Sequence, residues 1–255
     1  MARRFAPMVF VLSVLVALVP IAAARTTGTL TLSHAVLAGS INQVDCPIGT
    51  DPTTACFQTS GMGVVPGLGV VSERYLLFVE DPDSSCERWH ATPVLSVPGK
   101  GELDLDVRPP NGCVVPTTSA LNASLVFRIT GGTGHYAGAS GEGTFVARGG
   151  PGTTGRNTDT LVGSLAVPGI RFDTIPPTIS GAVSKTVVAA RNARTVRVLY
   201  NVTAKDVGRR VPVSCKPRSG TRFTLGRTRI VCSATDSSGN TARARFTITV
   251  KRKAA

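Results

Sequence analysis

The chain has 255 residues, with 28 Lys and Arg against 15 Asp and Glu, and its formal net charge at pH 7 is +13. This excess of basic over acidic residues favours anionic partners but does not specify a fold. The six cysteines lack the close paired spacing of a zinc site, so they favour disulfide bonds in an oxidising compartment over a structural metal.

Residues 1–24 have the features of a secretory signal peptide. Arg3 and Arg4 precede an apolar run from Met8 to Val19, and Ala22 to Ala24 are small residues suited to cleavage. The alternative is an uncleaved N-terminal anchor. No later stretch approaches the ~20 apolar residues that span a bilayer, so we expect a secreted protein without a transmembrane segment after cleavage.

Residues 25–172 form a unit long enough to bury its own core. Short β-prone segments alternate with Gly-rich and Pro-rich turns, and no amphipathic helical window is present. This pattern predicts an antiparallel β-barrel or sandwich. The predicted strands are Thr29–His34, Ser72–Glu80, Glu102–Val107, Ser124–Thr130, Gly143–Arg148 and Thr160–Val167.

The glycine-rich segment Phe127–Thr144 reads FRITGGTGHYAGASGEGT. It resembles the hairpin of barrels related to allene oxide cyclase and dirigent proteins, and a recurrent domain of secreted actinobacterial proteins. A dinucleotide-binding turn is disfavoured, because Gly138, Gly141 and Gly143 would each destabilise the required helix by about 1 kcal/mol relative to Ala. We expect these glycines to form a tight hairpin or bulge.

The N-terminal unit offers few groups for catalysis or metal binding. His135, Tyr136 and Glu142 are the one acid, base and phenol grouping that a hairpin could bring together, but surface residues flanking a turn explain them better. A weak Ca²⁺ site at Glu80–Asp83 is an alternative to an ordinary loop there, and Asp236 with Asn240, nearer the C-terminus, offers the same alternative. We therefore predict no catalytic residue, no metal and no cofactor.

A recognisable module occupies residues 173–251. Its motifs, in order, are DTIPPTI (Asp173–Ile179), VSCKPRSG (Val213–Gly220), VCSATDSSGN (Val231–Asn240) and FTITV (Phe246–Val250). This succession resembles the hyalin repeat (HYR) family. The resemblance implies an Ig-like β-sandwich on an extracellular protein and adhesion rather than catalysis, without specifying a ligand.

The residue pattern supports an all-β module independently. Pro176 and Pro177 suit a linker into an edge strand, which puts a boundary near Ile170 to Pro177. Apolar and polar residues alternate in Thr195–Val202 and Ala244–Val250, as in half-buried strands, and Asp236–Asn240 suits the turn before the last strand. The predicted layout is a signal peptide (1–24), a barrel or sandwich (25–172), an Ig-like module (173–251) and a basic tail (252–255).

The cysteines divide between the two predicted domains. Two lie in the C-terminal module and can pair only with each other there, which would stabilise it by roughly 3 kcal/mol. The four N-terminal cysteines permit three connectivities, of which the local one is preferred. Trp89, near one of them, is expected to pack in the core, with stacking on a sugar as the alternative. The preferred pairs are Cys215 with Cys232, Cys46 with Cys56, and Cys86 with Cys113.

Charge is distributed unevenly. Residues 25–172 contain 9 Lys and Arg against 12 Asp and Glu, a net of −3, whereas residues 173–255 contain 17 against 3, a net of +14. Outward-facing cations on the predicted C-terminal strands should attract an extracellular anionic polymer or cell-surface component. A merely solvated basic face is the alternative, and export disfavours nucleic acid as the specific partner. The candidate residues are Arg197, Arg227, Arg229, Arg243, Arg245, Lys251, Arg252 and Lys253.

Together these features predict a secreted, non-enzymatic protein for extracellular adhesion or for binding to a surface or polyanion. The first alternative is a barrel enzyme of cyclase or isomerase type, targeted by the C-terminal module. The second is a structural wall protein whose modules act as spacers. A barrel interior with a cavity and converging polar groups would favour the enzyme.

Overall fold

The computed structural model describes residues 26–82, 84–115, 120–151 and 154–253, so the predicted signal peptide lies outside the described residues. Within these ranges nearly all regular structure is β-strand, and one short 3-10 turn spans Gly134–Tyr136. None of the helical structure in this part of the chain has the length and apolar character to cross a membrane. The predicted all-β class is confirmed.

Nine antiparallel strands close into a barrel. A separate two-stranded sheet pairs the first strand of this part of the chain with its last. The strands of this part are β1 (Thr26–Thr27), β2 (Thr29–Val44), β3 (Ala55–Val65), β4 (Gly69–Glu80), β5 (Arg88–Ala91), β6 (Val94–Val97), β7 (Gly101–Arg108), β8 (Ala120–Gly132), β9 (Gly141–Pro151), β10 (Thr154–Ala166) and β11 (Phe172–Asp173).

Barrel closure follows from the pairing order. The sheet runs β3-β2-β10-β9-β8-β7, continues through β5 and β6 to β4, and returns from β4 to β3. Because β5 and β6 are short and share one position between β4 and β7, the barrel has eight strand positions. Closure leaves no free edge for pairing with other chains. It also selects the barrel from the two architectures that the sequence left open.

Alternation of side chains fills the barrel interior. On β4, buried Val71, Tyr75, Leu77 and Val79 alternate with more exposed neighbours. The same period of two on the other strands buries one continuous cluster, which includes Phe127, Phe145 and Leu165. The six predicted N-terminal strands correspond to β2, β4, β7, β8, β9 and β10, and the last prediction runs one residue past the end of β10, to Val167. The sequence reasoning missed β3, β5 and β6.

The glycine-rich segment forms the β8–β9 hairpin, as predicted, rather than a nucleotide-binding turn. Gly134 and Gly138 adopt positive φ values of 59° and 73° around the 3-10 turn, which favours glycine. A bulge on β8 skips Thr130 in the pairing with β7.

Residues 178–252 form the C-terminal region, which has Ig-like β structure and its own core cluster. Its sheets are β12-β15-β16, β14-β18 and the four-stranded β13-β20-β19-β17. The strands are β12 (Thr178–Ser180), β13 (Lys185–Ala189), β14 (Thr195–Arg197), β15 (Thr203–Asp206), β16 (Arg209–Val211), β17 (Val213–Lys216), β18 (Arg222–Thr224), β19 (Gly226–Thr235) and β20 (Thr241–Arg252).

Two details differ from the sequence-based expectation. The strand predicted over Thr195–Val202 is regular only in β14, although its sidedness holds: Val198 is buried and Leu199 is exposed. The last strand continues to Arg252, one residue into the predicted tail. In β20 the buried Phe246, Ile248 and Val250 confirm the predicted alternation.

All three preferred disulfides are present, and the described residues include no free cysteine. Cys215 and Cys232 are register partners on β17 and β19. Trp89 is 8% exposed within the barrel core, and its indole Nε1 donates to Glu87 Oε2 at 2.8 Å. The core interpretation of this tryptophan is therefore confirmed.

The barrel and the C-terminal region meet at two tight turns. The N–H of Gly67, between β3 and β4, donates to the carbonyl of Ser238 at 2.6 Å. Ser238 lies in the Asp236–Asn240 turn, which joins β19 to β20 as predicted. In this turn Asn240 is 2% exposed, and its Nδ2 donates to the carbonyl of Asp173 at 2.9 Å and to Asp236 Oδ2 at 3.1 Å. A side-chain amide thus holds the turn against the linker.

Candidate anion-binding surface

The outward face of the four-stranded C-terminal sheet is rich in arginine. On β19 Arg227 and Arg229 are exposed, while Ile230 and Cys232 point into the core. On β20 Arg243, Arg245 and Lys251 are exposed in the same alternation. The register pairs outward residues with outward residues across the two strands, so these cations share one face. We call Arg227, Arg229, Arg243, Arg245 and Lys251, with Lys216, the basic face.

Lys216 joins this face through strand pairing, and the sequence reasoning missed it. It is exposed on β17 and is the register partner of Val231, which in turn pairs with Arg245. The short β17 carries too little alternation to assign its sidedness from sequence. Its register with β19 supplies that information.

Hydroxyl side chains fill the positions between the cations. Ser233 pairs with Arg243, Thr247 with Arg229 and Thr249 with Arg227. Between Arg243 and Lys251 the strand rises about 27 Å, at roughly 3.4 Å per residue. The face therefore offers spaced cations and intervening hydroxyl donors along an extended line.

Carboxylates are segregated from the basic face. Asp173, Asp206 and Asp236 are the only acidic side chains among residues 173–255. One oxygen of each lies within 4.8 Å of the others, at the junction with the barrel. Within the described part of the chain, no ion pair involves a cation of the basic face. Their guanidinium and ammonium groups are therefore available to external anions.

One of these three aspartates, Asp236, belongs to the calcium site that the sequence offered as an alternative, Asp236 with Asn240. Carboxylate oxygens at this spacing are ligands that Ca²⁺ accepts. The turn already uses Asp236, however, because its Oδ1 accepts from the N–H groups of Ser238 and Asn240, each at 2.9 Å. These bonds account for the conformation of the turn.

The remaining predicted cations do not all belong to the basic face. Arg197 lies on β14, in the two-stranded sheet with β18, and its Nε donates to the carbonyl of Gly220 at 3.0 Å. Arg252 and Lys253 are exposed at the end of β20. The structure thus brings four of the predicted arginines and Lys251 together and separates Arg197 from them.

The comparisons with known proteins bear on this region. Residues 172–250 match the HYR domain family. The match covers the motifs that carried the resemblance and all strands of the C-terminal region up to β20. HYR domains are extracellular modules associated with cell adhesion. No curated protein matches the chain significantly.

The catalytic grouping considered in the β8–β9 hairpin is not assembled. Tyr136 is 2% exposed in the barrel core, where burial raises its pKa to about 12. His135 is exposed on the turn, and Glu142 lies 4.0 Å from Arg128 on the outer surface. Among the described residues, no hydrogen bond joins His135, Tyr136 and Glu142.

The acidic loop after β4 is neutralised by an arginine. Arg88 Nε lies 2.9 Å from Glu80 Oε2, and its NH2 group lies 2.6 Å from Asp81 Oδ2. Asp83, the third carboxylate of the predicted calcium alternative, lies outside the described residues. The two described carboxylates therefore have a cationic partner within the chain.

The barrel interior is filled at the end that faces the C-terminal region. A cavity of about 10 Å³ remains there, bordered by apolar side chains such as Leu37, Leu68 and Leu105. This is at most the space of one water molecule. Next to it lies a buried polar cluster, formed by Thr59, Glu73, Tyr75, Asn157 and Asp159, which the sequence reasoning missed.

Proposed function

We propose that the protein is a secreted, non-enzymatic binding protein that attaches to anionic polymers outside the cell through the basic face. The observation that carries this proposal is the segregation of charge. Six exposed cations of the sheet share one face, while the three carboxylates of the region gather at the junction. The match to an extracellular, adhesion-associated module supports the same conclusion.

The chemistry of the face suits phosphate, sulfate or carboxylate groups. Arginine remains protonated at physiological pH and binds such groups through paired N–H donors. Each exposed ion pair contributes roughly 0.2–1 kcal/mol and is screened by salt. Affinity therefore arises from several contacts along an extended polymer rather than from one pocket.

The test compares two quadruple variants of the full mature chain. In the first, Arg227, Arg229, Arg243 and Arg245 are replaced by threonine, which keeps strand propensity. In the matched control, Arg191, Arg194, Arg197 and Arg222 are replaced in the same way. Both variants lose four positive charges, but only the first loses them from the basic face.

Binding is measured by titration with heparin and with polyphosphate at low and physiological ionic strength. We expect the face variant to bind about tenfold or more weakly at low salt, since four exposed contacts contribute about 2 kcal/mol together. The control should change by less than about threefold through the loss of long-range attraction. Equal weakening of polymer binding in both variants would contradict the proposal, because binding would then depend on net charge and not on the basic face.

A second candidate function is a barrel enzyme of cyclase or isomerase type. The observation that favours it is the convergence of Glu73, Tyr75 and Asp159 on the barrel interior. The apolar cavity beside them is too small for an organic substrate. Titration with a neutral apolar fluorophore such as Nile red tests this candidate. Saturable uptake that changes Trp89 fluorescence would support the enzyme, whereas no uptake supports the binding protein.

A further inference from the structure

The buried polar cluster crosses the barrel interior between three strands. Glu73 and Tyr75 project from β4, Thr59 from β3, and Asn157 and Asp159 from β10. Glu73 is 3% exposed, Asn157 is 2% exposed, and Thr59 and Asp159 are fully buried. Two carboxyl groups are thus enclosed in a barrel core whose other members are mainly apolar.

Hydrogen bonds satisfy only part of this cluster. The hydroxyl of Tyr75 donates to Asp159 Oδ2 at 2.7 Å, and Asn157 Nδ2 donates to the same oxygen at 2.9 Å. As ionised groups, the carboxylates leave Asp159 Oδ1 and both oxygens of Glu73 without a donor. An unpaired buried charge of this kind is strongly destabilising.

No cation in the described part of the chain compensates the two carboxyl groups. The side chains that face Glu73 from β3 and β10 are those of Thr59, Asn157 and Asp159. Its register partners are Gly61 on β3 and the apolar Leu95 on β6. A Cβ at Gly61 would lie 2.5 Å from Glu73 Oε1, so glycine makes room for the carboxyl. The titratable groups facing Glu73 are therefore Asp159 and Tyr75, both of which are acids.

We propose that Glu73 and Asp159 form a buried carboxylic acid–carboxylate pair that shares one proton at neutral pH. The proton resides on Glu73 and is donated to Asp159 Oδ1. This supplies the missing donor to Asp159 and leaves one net negative charge, which also accepts the bonds from Tyr75 and Asn157. The barrel interior is thus a proton-binding site.

The direction of the pKa shifts agrees with this arrangement. Burial, followed by the charge of Asp159, raises the pKa of Glu73 to about 10, whereas bonds from Tyr75, Glu73 and Asn157 limit the rise of the Asp159 pKa, caused by burial, to about 6. An acid whose pKa is raised on folding stabilises the folded state fully below its unfolded pKa, and this contribution is lost as pH rises through the folded pKa. For Glu73 the window runs from about 4.5 to about 10.

The test measures unfolding of the full mature chain between pH 6.5 and 9. Trp89 is the single tryptophan and lies in the barrel, so its fluorescence reports barrel unfolding. In the wild type the unfolding equilibrium constant should rise about tenfold per pH unit relative to Glu73→Gln, whose amide mimics the protonated acid. Glu142→Gln, on the outer surface, is the control and should retain the wild-type slope.

Two outcomes would overturn the proposal. One is an identical pH slope in the wild type and Glu73→Gln. The other is the absence, in infrared spectra of the wild type at pH 7 to 8, of the C=O band of a protonated carboxyl group. The infrared measurement needs no variant, so it remains decisive if Glu73→Gln does not fold. Persistence of that band to pH 8 is the expected result.

Discussion

The barrel and the C-terminal region manage charge in opposite ways. On the described barrel surface, four arginines have carboxylate partners: Arg74 lies near Glu102, Arg88 near Glu80 and Asp81, Arg108 near Asp106, and Arg128 near Glu142. On the C-terminal sheet, the cations of the basic face have no such partners among the described residues. Unpaired exposed charge attracts an external partner, whereas paired charge does not.

The two regions also differ in where their acids lie. The barrel encloses Glu73 and Asp159 in its core, while the C-terminal region gathers all three of its aspartates at the junction. A buried acid makes the free energy of unfolding depend on pH. The position of the aspartates away from the basic face leaves that face without neighbouring negative charge from the described part of its own region. This difference underlies the two proposals, proton binding in the barrel and polymer binding on the sheet.

The largest expected effect separates the two cores. Phe145→Ala removes a fully buried ring from the barrel and should lower the free energy of unfolding of the barrel by about 3–5 kcal/mol. Because Ile248 packs in a separate cluster, protection of its amide from hydrogen exchange should change little. Denaturation followed by Trp89 fluorescence, with hydrogen exchange at Ile248, checks both. Equal losses in both regions would show one cooperative unit.

Removal of the C-terminal disulfide should produce the converse result. Replacing Cys215 and Cys232 by alanine releases a crosslink of sequence separation 17 and should destabilise the C-terminal region by roughly 3 kcal/mol. The barrel transition reported by Trp89 should stay in place. A shift of that transition as large as the loss of amide protection at Ile248 would contradict the separation.

A smaller effect tests the junction. Gly239 has φ 83°, and a Cβ there would lie 2.6 Å from the carbonyl oxygen of Val65 in the barrel. Gly208 has φ 77°, but a Cβ there would meet nothing within 4 Å. Both Gly→Ala changes carry the backbone cost of about 1–2 kcal/mol, so their difference isolates the contact. We expect Gly239→Ala to be the more destabilising by about 1 kcal/mol or more, measured by thermal unfolding of the full chain.

The smallest expected effect concerns the basic face. Because the arginines on β19 and β20 are exposed and unpaired with described residues, each Arg→Thr change there should alter the free energy of unfolding by no more than about 0.5 kcal/mol. Chemical denaturation of the single variants measures this. A loss of several kcal/mol would mean that the face is structural, and reduced polymer binding would then reflect unfolding.

Much of this architecture could be predicted from local sequence. The alternation in Ala244–Val250 defined the last strand and its outward arginines, and the even cysteine count allowed local pairing to be chosen correctly. The Asp236–Asn240 turn followed from residues that accept tight-turn geometry. Each of these features depends on neighbours along the chain, which is why the sequence carries them.

Features that depend on distant residues were missed. The strand β3 contains glycines and few β-branched residues, and its pairing with β2 and β4 stabilises it. Glu73 and Asp159 are 86 positions apart and meet only because closure of the barrel brings β4 and β10 to the same interior. Likewise, the assignment of Lys216 to the basic face and of Arg197 to another sheet required strand register.

The most direct test of the binding account is a residue-level map of the polymer contact. Amide chemical shifts of the full chain are recorded by NMR during titration with polyphosphate, first at low salt and then with added salt. The account predicts salt-reversible shifts concentrated on β17, β19 and β20, with the barrel strands unchanged. Shifts centred on the barrel, or shifts that persist at high salt, would contradict it.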